Sequence, residues 1–381
     1  MSADMIAILG LLTLGLLFLV IGAESLVKGA SRLARIARVS PLVVGLVIVS
    51  YGTSAPEMVV SVKGALMGQS DIAMGNVVGS NIFNVLLILG LSATIVPLAV
   101  SQQLIRLDVP IMIAVSLAAI AMGFDGSISR WEGIALVAGL ILYTVFVVRN
   151  GLKESNPQVK DEYDLKFSGN GKRNEKNGGV GIPVGVGQVF LQIGWVIGGL
   201  GLLILGARWF VDGSISLARA FGVSELVIGL TIVAAGTSMP EVATSIVAAI
   251  RGERDIAVGN VVGSNIFNIL AVLGVSALCA PAGISVSPAL LNFDMPVMLA
   301  VAVACLPIFF TGNTIARWEG MVFLGYYVAY VAYLLLQSWQ HDHLDAFSHS
   351  MLVFVVPITG LTLLLLAYRQ HHHNQNQRRT A

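Results

Sequence analysis

The sequence predicts an all-α polytopic membrane protein, and its composition, its long apolar runs and an internal repeat all favour this fold class. Of the 381 residues, 56% are hydrophobic and 11% are charged, whereas about 25% of the residues in a soluble domain are charged. Lysine and arginine number 22 against 21 aspartates and glutamates, so there is no basic field for nucleic acid. The composition therefore excludes a water-soluble enzyme and a nucleic-acid-binding protein.

Eleven apolar segments are long enough to cross a bilayer, which takes about 20 residues per helix. Runs of this length indicate helices, because only helices or closed barrels satisfy their backbone groups in lipid. The first run is expected to be a retained helix, since neither a basic region nor a small-residue cleavage site accompanies it. The predicted spans are 5–34, 41–66, 72–98, 107–124, 131–149, 185–219, 223–250, 256–281, 294–312, 318–337 and 351–368.

A long polar stretch divides the chain. Residues 150–184 are rich in Lys, Glu, Asp, Asn and Gly and are predicted to form a solvated cytoplasmic linker. We expect a first five-helix repeat over 1–149, a second, inverted one over 185–337, and an extra helix with a polar His/Arg tail over 338–381. Short loops on one side carry most of the basic residues, so the positive-inside rule places the N-terminus outside and the C-terminus in the cytoplasm of an inner (cytoplasmic) membrane protein.

The two halves repeat each other at an offset of 184 residues. The sequence GNVVGSNIFN at 75–84 recurs letter for letter at 259–268, and GTSAPE at 52–57 returns as GTSMPE at 236–241. Because each half contains five spans, the second enters the membrane from the side opposite to the first. Inverted repeats are typical of secondary transporters, whose sites lie near the bilayer midplane at the repeat interface.

Two acidic residues, Glu57 and Glu241, occupy equivalent positions inside the second and seventh spans. A charge at a helix centre costs about 2.5–3.5 kcal/mol on insertion scales, so an intramembrane acid favours a functional interpretation. Two carboxylates that meet near the repeat axis repel each other unless they are protonated or bridged by a cation. The Gly and Pro of each motif predict a helix break that frees backbone carbonyls near Ser50 to Thr53 and near Ala234 to Thr237.

Neutral oxygen ligands complete the predicted site. On each repeated helix, Ser and Asn lie four residues apart and share one face, whereas Asn81 and Asn265 lie one position after the serines and are not central to it. Oxygen ligands with two negative charges select hard cations such as Ca²⁺, and with no His before residue 341 the core offers no ligand to zinc or copper. The neutral candidates are Thr53, Thr237, Ser54, Ser238, Ser80, Ser264, Asn84 and Asn268.

These assignments have structural alternatives. The two glutamates could form ion pairs with Lys63 or Arg208, and the Ser and Asn residues could serve only to hold helices together. Asp108 and Asp294 precede prolines at helix starts, where N-capping is the expected role.

Three further acids receive local interpretations. Glu24 is expected to pair with Lys28, four residues later on the same helix. Glu132 and Glu319 follow Trp at the edges of spans and are expected to be interfacial anchors.

The paired motifs GTSAPE…GNVVGSNIFN and GTSMPE…GNVVGSNIFN resemble those of the sodium/calcium exchangers of the calcium/cation antiporter superfamily, in their prokaryotic form. The resemblance covers roughly residues 1–337. It implies ten helices in two inverted units, exit of Ca²⁺ as Na⁺ enters, and alternating access by sliding of the first and sixth spans. It implies the two ions and the lipid bilayer as partners, with no cofactor, and a monomer is compatible with it.

The resemblance also assigns ligands residue by residue. Calcium ligation falls on Glu57 and Glu241, with the backbone carbonyls of Thr53 and Thr237. Sodium ligation falls on Ser54, Ser80, Ser238 and Ser264, with carbonyls near Ser50 and Ala234, and Asn84 occupies an amide position of the family.

One departure from the family affects the coupling ion. Several relatives, including potassium-dependent ones, carry Asp where this chain has Asn268, so the site keeps two formal charges, which disfavours potassium co-transport. The GTSxPE motif of both halves differs from the GNxxE pattern of the proton-coupled branch. A Ca²⁺/H⁺ or other cation/H⁺ antiporter nevertheless stays the alternative, and a cation channel is a third.

Overall fold

The computed structural model describes residues 3–37, 39–153, 186–222, 232, 234–310, 312–338, 344–357 and 359–360. Within these residues the chain is almost entirely helical, and eight helices are long and apolar enough to cross a membrane. A ninth span results if one bent pair of helices is counted as a single crossing. The predicted all-α membrane fold is therefore confirmed.

The helices of the first half come before residues 154–185, which lie outside the described residues. They are α1 (Ala3–Ala37), α2 (Pro41–Thr53), α3 (Ala55–Leu66), α4 (Ser70–Ile95), α5 (Leu104–Gly123) and α6 (Arg130–Lys153). The helices that follow are α7 (Val186–Ala220), α8 (Ala234–Gly236), α9 (Met239–Ile250), α10 (Arg254–Cys279), α11 (Leu290–Phe310), α12 (Arg317–Ser338) and α13 (Leu344–Ser350), which continues as a π-helical turn over Met351–Val355.

Nine of the eleven predicted spans agree with these helices within four residues at each end. The second of them is the bent pair α2–α3. The seventh, 223–250, is described only at residue 232 and from 234 onward, and residues 358 and 361–368 of the eleventh lie outside the described residues. Helix α6 continues to Lys153, so residues 150–153 of the predicted linker are helical, and the rest of the predicted linker lies outside the described residues.

The longest helices, α1 and α7, contain 35 residues each and span about 52 Å at 1.5 Å per residue. They pack against each other along a seam in which Gly15 and Gly22 face Gly206 and Gly199. A Cβ atom at Gly199 would lie 2.6 Å from the backbone nitrogen of Leu26, and one at Gly22 would lie 2.8 Å from the Gly199 carbonyl oxygen. The two backbones approach this closely only because these positions carry no side chain.

Replacement of Gly199 by alanine is expected to lower the stability of the protein by roughly 1–3 kcal/mol, the usual cost of overpacking. Gly201→Ala is the matched control, because Gly201 lies two residues along α7, is exposed, and has no described atom within 4 Å of an added Cβ. Thermal unfolding in detergent should give a lower midpoint for Gly199→Ala and an unchanged or slightly higher one for Gly201→Ala. Equal midpoints for the two variants would contradict the close approach of α1 and α7.

Two short antiparallel ribbons join the halves. Strand β1 (Leu98–Ala99) pairs with β4 (Thr314–Ile315), and β2 (Ser127–Ile128) pairs with β3 (Ile284–Ser285). Each ribbon takes one strand from the first half and one from the second. Contacts that are exchanged in matching pairs are characteristic of a two-fold relation between two similar units.

Glu132 and Glu319 cap the helices in which they lie, a role that their interpretation as interfacial anchors missed. Oε2 of Glu132 accepts a hydrogen bond from the backbone N–H of Ser129 at 2.7 Å, and Oε2 of Glu319 accepts one from the N–H of Ala316 at 2.7 Å. A glutamate three residues after the cap that reaches back to its N–H is half of a capping box.

The N-capping prediction for Asp108 is wrong. Helices α5 and α11 begin four residues before Asp108 and Asp294, with a π-helical turn, and Asp108 makes no side-chain capping hydrogen bond. Asp108 instead accepts a hydrogen bond from the hydroxyl of Tyr143 at 3.2 Å, and Asp294 accepts one from Tyr330 at 2.8 Å. These acids therefore link α5 to α6 and α11 to α12.

The local pairing predicted for Glu24 is also wrong. Its carboxylate forms an ion pair with Arg251, which follows the last residue of α9. The Lys28 ammonium lies 5.0 Å from the centre of the Trp195 ring on α7. Glu24 and Lys28 thus contact the C-terminal end of α9 and helix α7 instead of each other.

Candidate ion-binding site

Two interrupted helices carry the candidate acids. Helices α2 and α3 meet at an angle of 46° at Ser54, whose φ of −81° and ψ of 12° depart from helical values. Ser238, directly before α9, has a φ of −88° and a ψ of 8°. The proline that follows each break has no N–H to donate, so the helical ladder cannot pass through the motif. Glu57 and Glu241 consequently lie in the first turns of α3 and α9, where the helix dipole favours negative charge.

The break in the first half lies at Ser54, inside the GTSAPE motif where the sequence predicted it. The carbonyl of Ser50 still accepts a hydrogen bond from the N–H of Ser54 at 3.0 Å, as well as a contact of 3.4 Å from the Thr53 hydroxyl. The Ser50 carbonyl is therefore not freed from the helix, because the chain leaves helical geometry only at Ser54, but its second lone pair is still available to a cation. Its equivalent Ala234 is the first residue of α8.

The two carboxylates are buried and each receives a hydroxyl from the other half of the chain. Glu57 and Glu241 are each 1% exposed. Ser54 donates to Oε1 of Glu241 at 2.9 Å, and Ser238 donates to Oε1 of Glu57 at 2.8 Å. Because each serine lies three residues before a glutamate of its own half, this exchange brings both acids to one place at the interface between the halves.

Neither carboxylate forms an ion pair with a basic residue in the described part of the chain. Arg208 lies instead 4.0 Å from Asp212, at an exposed surface of α7. The second oxygen of each carboxylate, Oε2 of Glu57 and of Glu241, is buried and has no hydrogen-bond partner among the described residues. A buried carboxylate without compensation is costly, so this geometry suits a pair of groups whose charge is balanced by a bound cation.

Four asparagines of the repeated helices α4 and α10 form a network across the interface. Asn84 donates from Nδ2 to Oδ1 of Asn265 at 3.0 Å, and Asn268 donates from Nδ2 to Oδ1 of Asn81 at 3.0 Å. Asn81 and Asn265 also donate to each other's backbone carbonyls, at 3.2 Å and 3.3 Å. The Oδ1 atoms of Asn84 and Asn268 are buried, and neither has a hydrogen-bond partner among the described residues.

In this network Asn265 and Asn81 accept hydrogen bonds from the amides of Asn84 and Asn268, contacts that sequence reasoning missed. A primary amide can donate through nitrogen and accept through oxygen, so holding the nitrogen of Asn84 leaves its oxygen available to a cation. The only sequence signal was that both residues recur one position after the repeated serines. In addition, a π-helical turn begins at Asn84 and another at Asn268, and π turns in helices are frequent at functional sites.

The two repeated serines occupy different environments. Oγ of Ser80 lies 3.2 Å from Oγ of Ser238, which is the hydroxyl that donates to Glu57. Oγ of Ser264 is buried and has no partner among the described residues. Both serines lie one helical turn before an asparagine of the network, so they can contribute oxygen next to its amide.

The threonine hydroxyls are engaged by a second pair of asparagines that the sequence reading did not single out. Thr53 donates to Oδ1 of Asn260 at 3.2 Å, and Thr237 donates to Oδ1 of Asn76 at 3.2 Å. Asn76 also donates to the backbone carbonyl of Glu57 at 3.0 Å. These contacts hold the interrupted helices against α4 and α10. Because the threonine hydroxyls are used in them, the backbone carbonyls of the threonines are the better candidates for cation ligands.

The charge of the site follows from its composition. Among the described residues, no group of three or more His, Cys, Asp or Glu side chains is placed to hold a metal ion. The cluster contains two carboxylates and otherwise neutral oxygens, so its formal charge of −2 balances one divalent cation or two monovalent ones. Oxygen-rich clusters of this kind match the preference of hard cations such as Ca²⁺.

Known proteins share both the sequence and the fold of this chain. The family described as sodium/calcium exchanger protein matches residues 7–149 and 191–336. The chain belongs to the sodium/calcium exchanger family. The resemblance of its repeated motifs is thereby confirmed, and like this family the protein is a membrane ion exchanger, not an enzyme. The family match ends before α13.

Individual relatives match most of the chain. The sodium/calcium exchanger MaX1 of Methanosarcina acetivorans is 36% identical over 342 residues, covering 85% of this chain and 97% of the relative. The inner membrane protein YrbG of Escherichia coli is 40% identical over 298 residues, covering 77% and 86%. A solved structure of the sodium-calcium exchanger NCX_Mj, soaked with Na⁺ and Sr²⁺, superposes with a TM-score of 0.70 at 33% identity, covering 86% of this chain and 98% of that one.

Proposed function

We propose that this protein exchanges Na⁺ for Ca²⁺ by alternating access and normally exports Ca²⁺. The observation that carries the proposal is the pair of buried carboxylates, each with one oxygen free of hydrogen bonds among the described residues. Ca²⁺ takes six to eight oxygen ligands, and two carboxylates balance its charge in a medium of low dielectric. The sequence similarity to exchangers of Na⁺ and Ca²⁺ supports the choice of these two ions.

The ligands are divided between the two ions. Ca²⁺ is bound by Glu57 and Glu241 with the backbone carbonyls of Thr53 and Thr237. Na⁺ shares the two glutamates with Ca²⁺ and is bound in addition by Ser54, Ser80, Ser238 and Ser264, with the carbonyls near Ser50 and Ala234. The amides of Asn84 and Asn268 belong to the same site. The free Oδ1 atoms of the two asparagines and the free Oγ of Ser264 support this division.

Exchange follows from competition for the same two acids. If Na⁺ and Ca²⁺ both require Glu57 and Glu241, binding of one ion weakens binding of the other by the same free energy in both directions. With neither ion bound, two uncompensated carboxylates would have to be closed away from water, which is costly. The carrier therefore crosses only when it is loaded, and each crossing moves one type of ion.

The proposed orientation places the N-terminus outside and the C-terminus in the cytoplasm of an inner membrane. The excess of basic residues in the short loops on one side supports this arrangement. So does the likeness to a relative named as an inner membrane protein. With this orientation the two halves are inverted five-helix repeats. The reciprocal hydrogen bonds between serine hydroxyls and glutamates support this arrangement.

Calcium uptake by vesicles tests the proposal. Vesicles containing the protein are loaded with Na⁺ and diluted into Na⁺-free buffer with labelled Ca²⁺. We expect uptake that requires the Na⁺ gradient and disappears when Na⁺ is equal on both sides. Uptake that follows an imposed pH gradient instead would identify a Ca²⁺/H⁺ antiporter, and uptake that needs neither gradient would identify a channel. Either of these results contradicts sodium coupling.

A further inference from the structure

A large cavity lies away from the ion site, between the second half and the C-terminal segment. Its volume is about 1330 Å³, and its walls come mainly from α11, α12 and the segment from α13 to residue 360, with Leu86, Gln102 and Arg106 of the first half. The hydroxyl of Tyr326 on α12 donates to the backbone carbonyl of Val355 at 3.2 Å and attaches that segment to the core. One wall of the cavity therefore lies beyond the part of the chain that matches the exchanger family.

The cavity is as long as a bilayer is thick. Its lining includes Asn292, near the start of α11, and Asn313, just beyond the end of that helix. A helix of this length spans about 30 Å, which is the thickness of the hydrocarbon core. Between these ends the lining is mainly apolar and includes Val297, Ala300 and Leu352. The apolar lining suits acyl chains, and the half of the cavity next to one interface corresponds to the leaflet that the chains of a single phospholipid occupy.

One end of the cavity carries a positive charge. Arg106 lines this end together with Gln102 and Asn313, and Gln102 donates to Oδ1 of Asn313 at 2.9 Å. Arg106 is exposed and makes no hydrogen bond or ion pair with any residue that the structure describes. The repeat position equivalent to Arg106 is Asn292, so the opposite end has an uncharged amide in its place.

We propose that this cavity binds an anionic phospholipid, with its acyl chains along the apolar walls and its phosphate at Arg106. A guanidinium group offers paired N–H donors that match phosphate oxygens. Basic pockets between transmembrane helices bind anionic lipid head groups in this way. Under the proposed orientation the lipid comes from the cytoplasmic leaflet. The binding itself depends only on the membrane fold and not on which ion drives exchange.

Native mass spectrometry of the full chain tests the site. The purified protein is stripped of lipid in a neutral detergent and titrated with phosphatidylglycerol or with phosphatidylcholine of the same chain length. Wild-type protein should retain phosphatidylglycerol in preference to phosphatidylcholine. In Arg106→Gln, phosphatidylglycerol binding should weaken about fivefold, as expected for the loss of one basic residue near a head group, and phosphatidylcholine binding should change little.

Arg149→Gln serves as the matched control. Arg149 is an exposed arginine on α6 that does not line the cavity, and its replacement should leave lipid preference unchanged. Ala300→Phe places a large side chain in the middle of the cavity and should weaken binding of both lipids.

The proposal is overturned if Arg106→Gln keeps the wild-type preference, or if Arg149→Gln loses as much of it. Unchanged binding by Ala300→Phe, in a variant that elutes as a single species, equally overturns it, because the chains would then lie elsewhere. Ion flux is not measured in this experiment. A negative result therefore leaves sodium–calcium exchange standing, and failure of exchange leaves the lipid site standing.

Discussion

Glu57→Gln is expected to lower the initial rate of sodium-driven Ca²⁺ uptake by at least about 100-fold. Removing one partner from a buried set of charges costs about 3–5 kcal/mol, since Ca²⁺ would be held by a single carboxylate in a medium of low dielectric. Glu241→Gln should have an effect of similar size, because the two acids have equivalent surroundings, each with one serine donor from the opposite half. Asp212→Asn is the control, because this exposed acid lies beside Arg208 on α7 and is expected to affect transport little.

Ligand-dependent stability separates loss of binding from loss of folding. Calcium binding to the native state should raise the thermal midpoint of the wild-type protein. In Glu57→Gln this shift should be absent, whereas the midpoint without calcium should be unchanged or higher, because one of two neighbouring negative charges has been removed. Full exchange activity in Glu57→Gln would contradict the proposed site, and so would a normal calcium-induced shift.

Asn265→Leu is expected to lower exchange by about 10- to 100-fold, the usual range when a residue that orients a metal ligand is removed. Asn265 holds the amide nitrogen of Asn84 at 3.0 Å, and without that contact the amide can rotate away from the cation. The same reasoning applies to Asn81, which holds Asn268. The rate of uptake as a function of Na⁺ and Ca²⁺ concentration measures the effect.

A double-mutant cycle shows whether Asn265 acts through Asn84. If it does, Asn84→Leu combined with Asn265→Leu should reduce exchange no further than Asn84→Leu alone, because contacting residues are not additive. Fully additive losses would instead show that Asn265 affects transport by a separate route.

The predictions that depend on the length and apolar character of a segment are the accurate ones. A run of apolar residues long enough to cross a membrane has few alternatives in lipid, and this is why the ends of α1, α7 and α12 lie within three residues of their predicted positions. The return of GTSAPE as GTSMPE at the same offset of 184 residues also indicated which positions of the two halves are equivalent. For this reason the equivalent glutamates could be chosen from a single sequence.

Contacts between distant segments were beyond the reach of local rules. An acid before a proline predicts an N-cap, but a π-helical turn extends α5 upstream of Asp108, and Tyr143 supplies its hydrogen bond. Glu24 has a basic residue four positions later, yet its partner is Arg251, which is 227 residues away in sequence. The contact between Asn81 and Asn265 joins residues separated by 184 positions, and no periodicity in either segment predicts it.

The hydrogen bonds from Ser54 to Glu241 and from Ser238 to Glu57 make each half of the chain depend on the other. Each half contains an acid but receives the hydroxyl donor to that acid from the other half, and each supplies the amide acceptor that orients the other's asparagine. An isolated half expressed alone would consequently lack a working site. Activity from such fragments would require two of them to assemble, and a defect on one side would disable both.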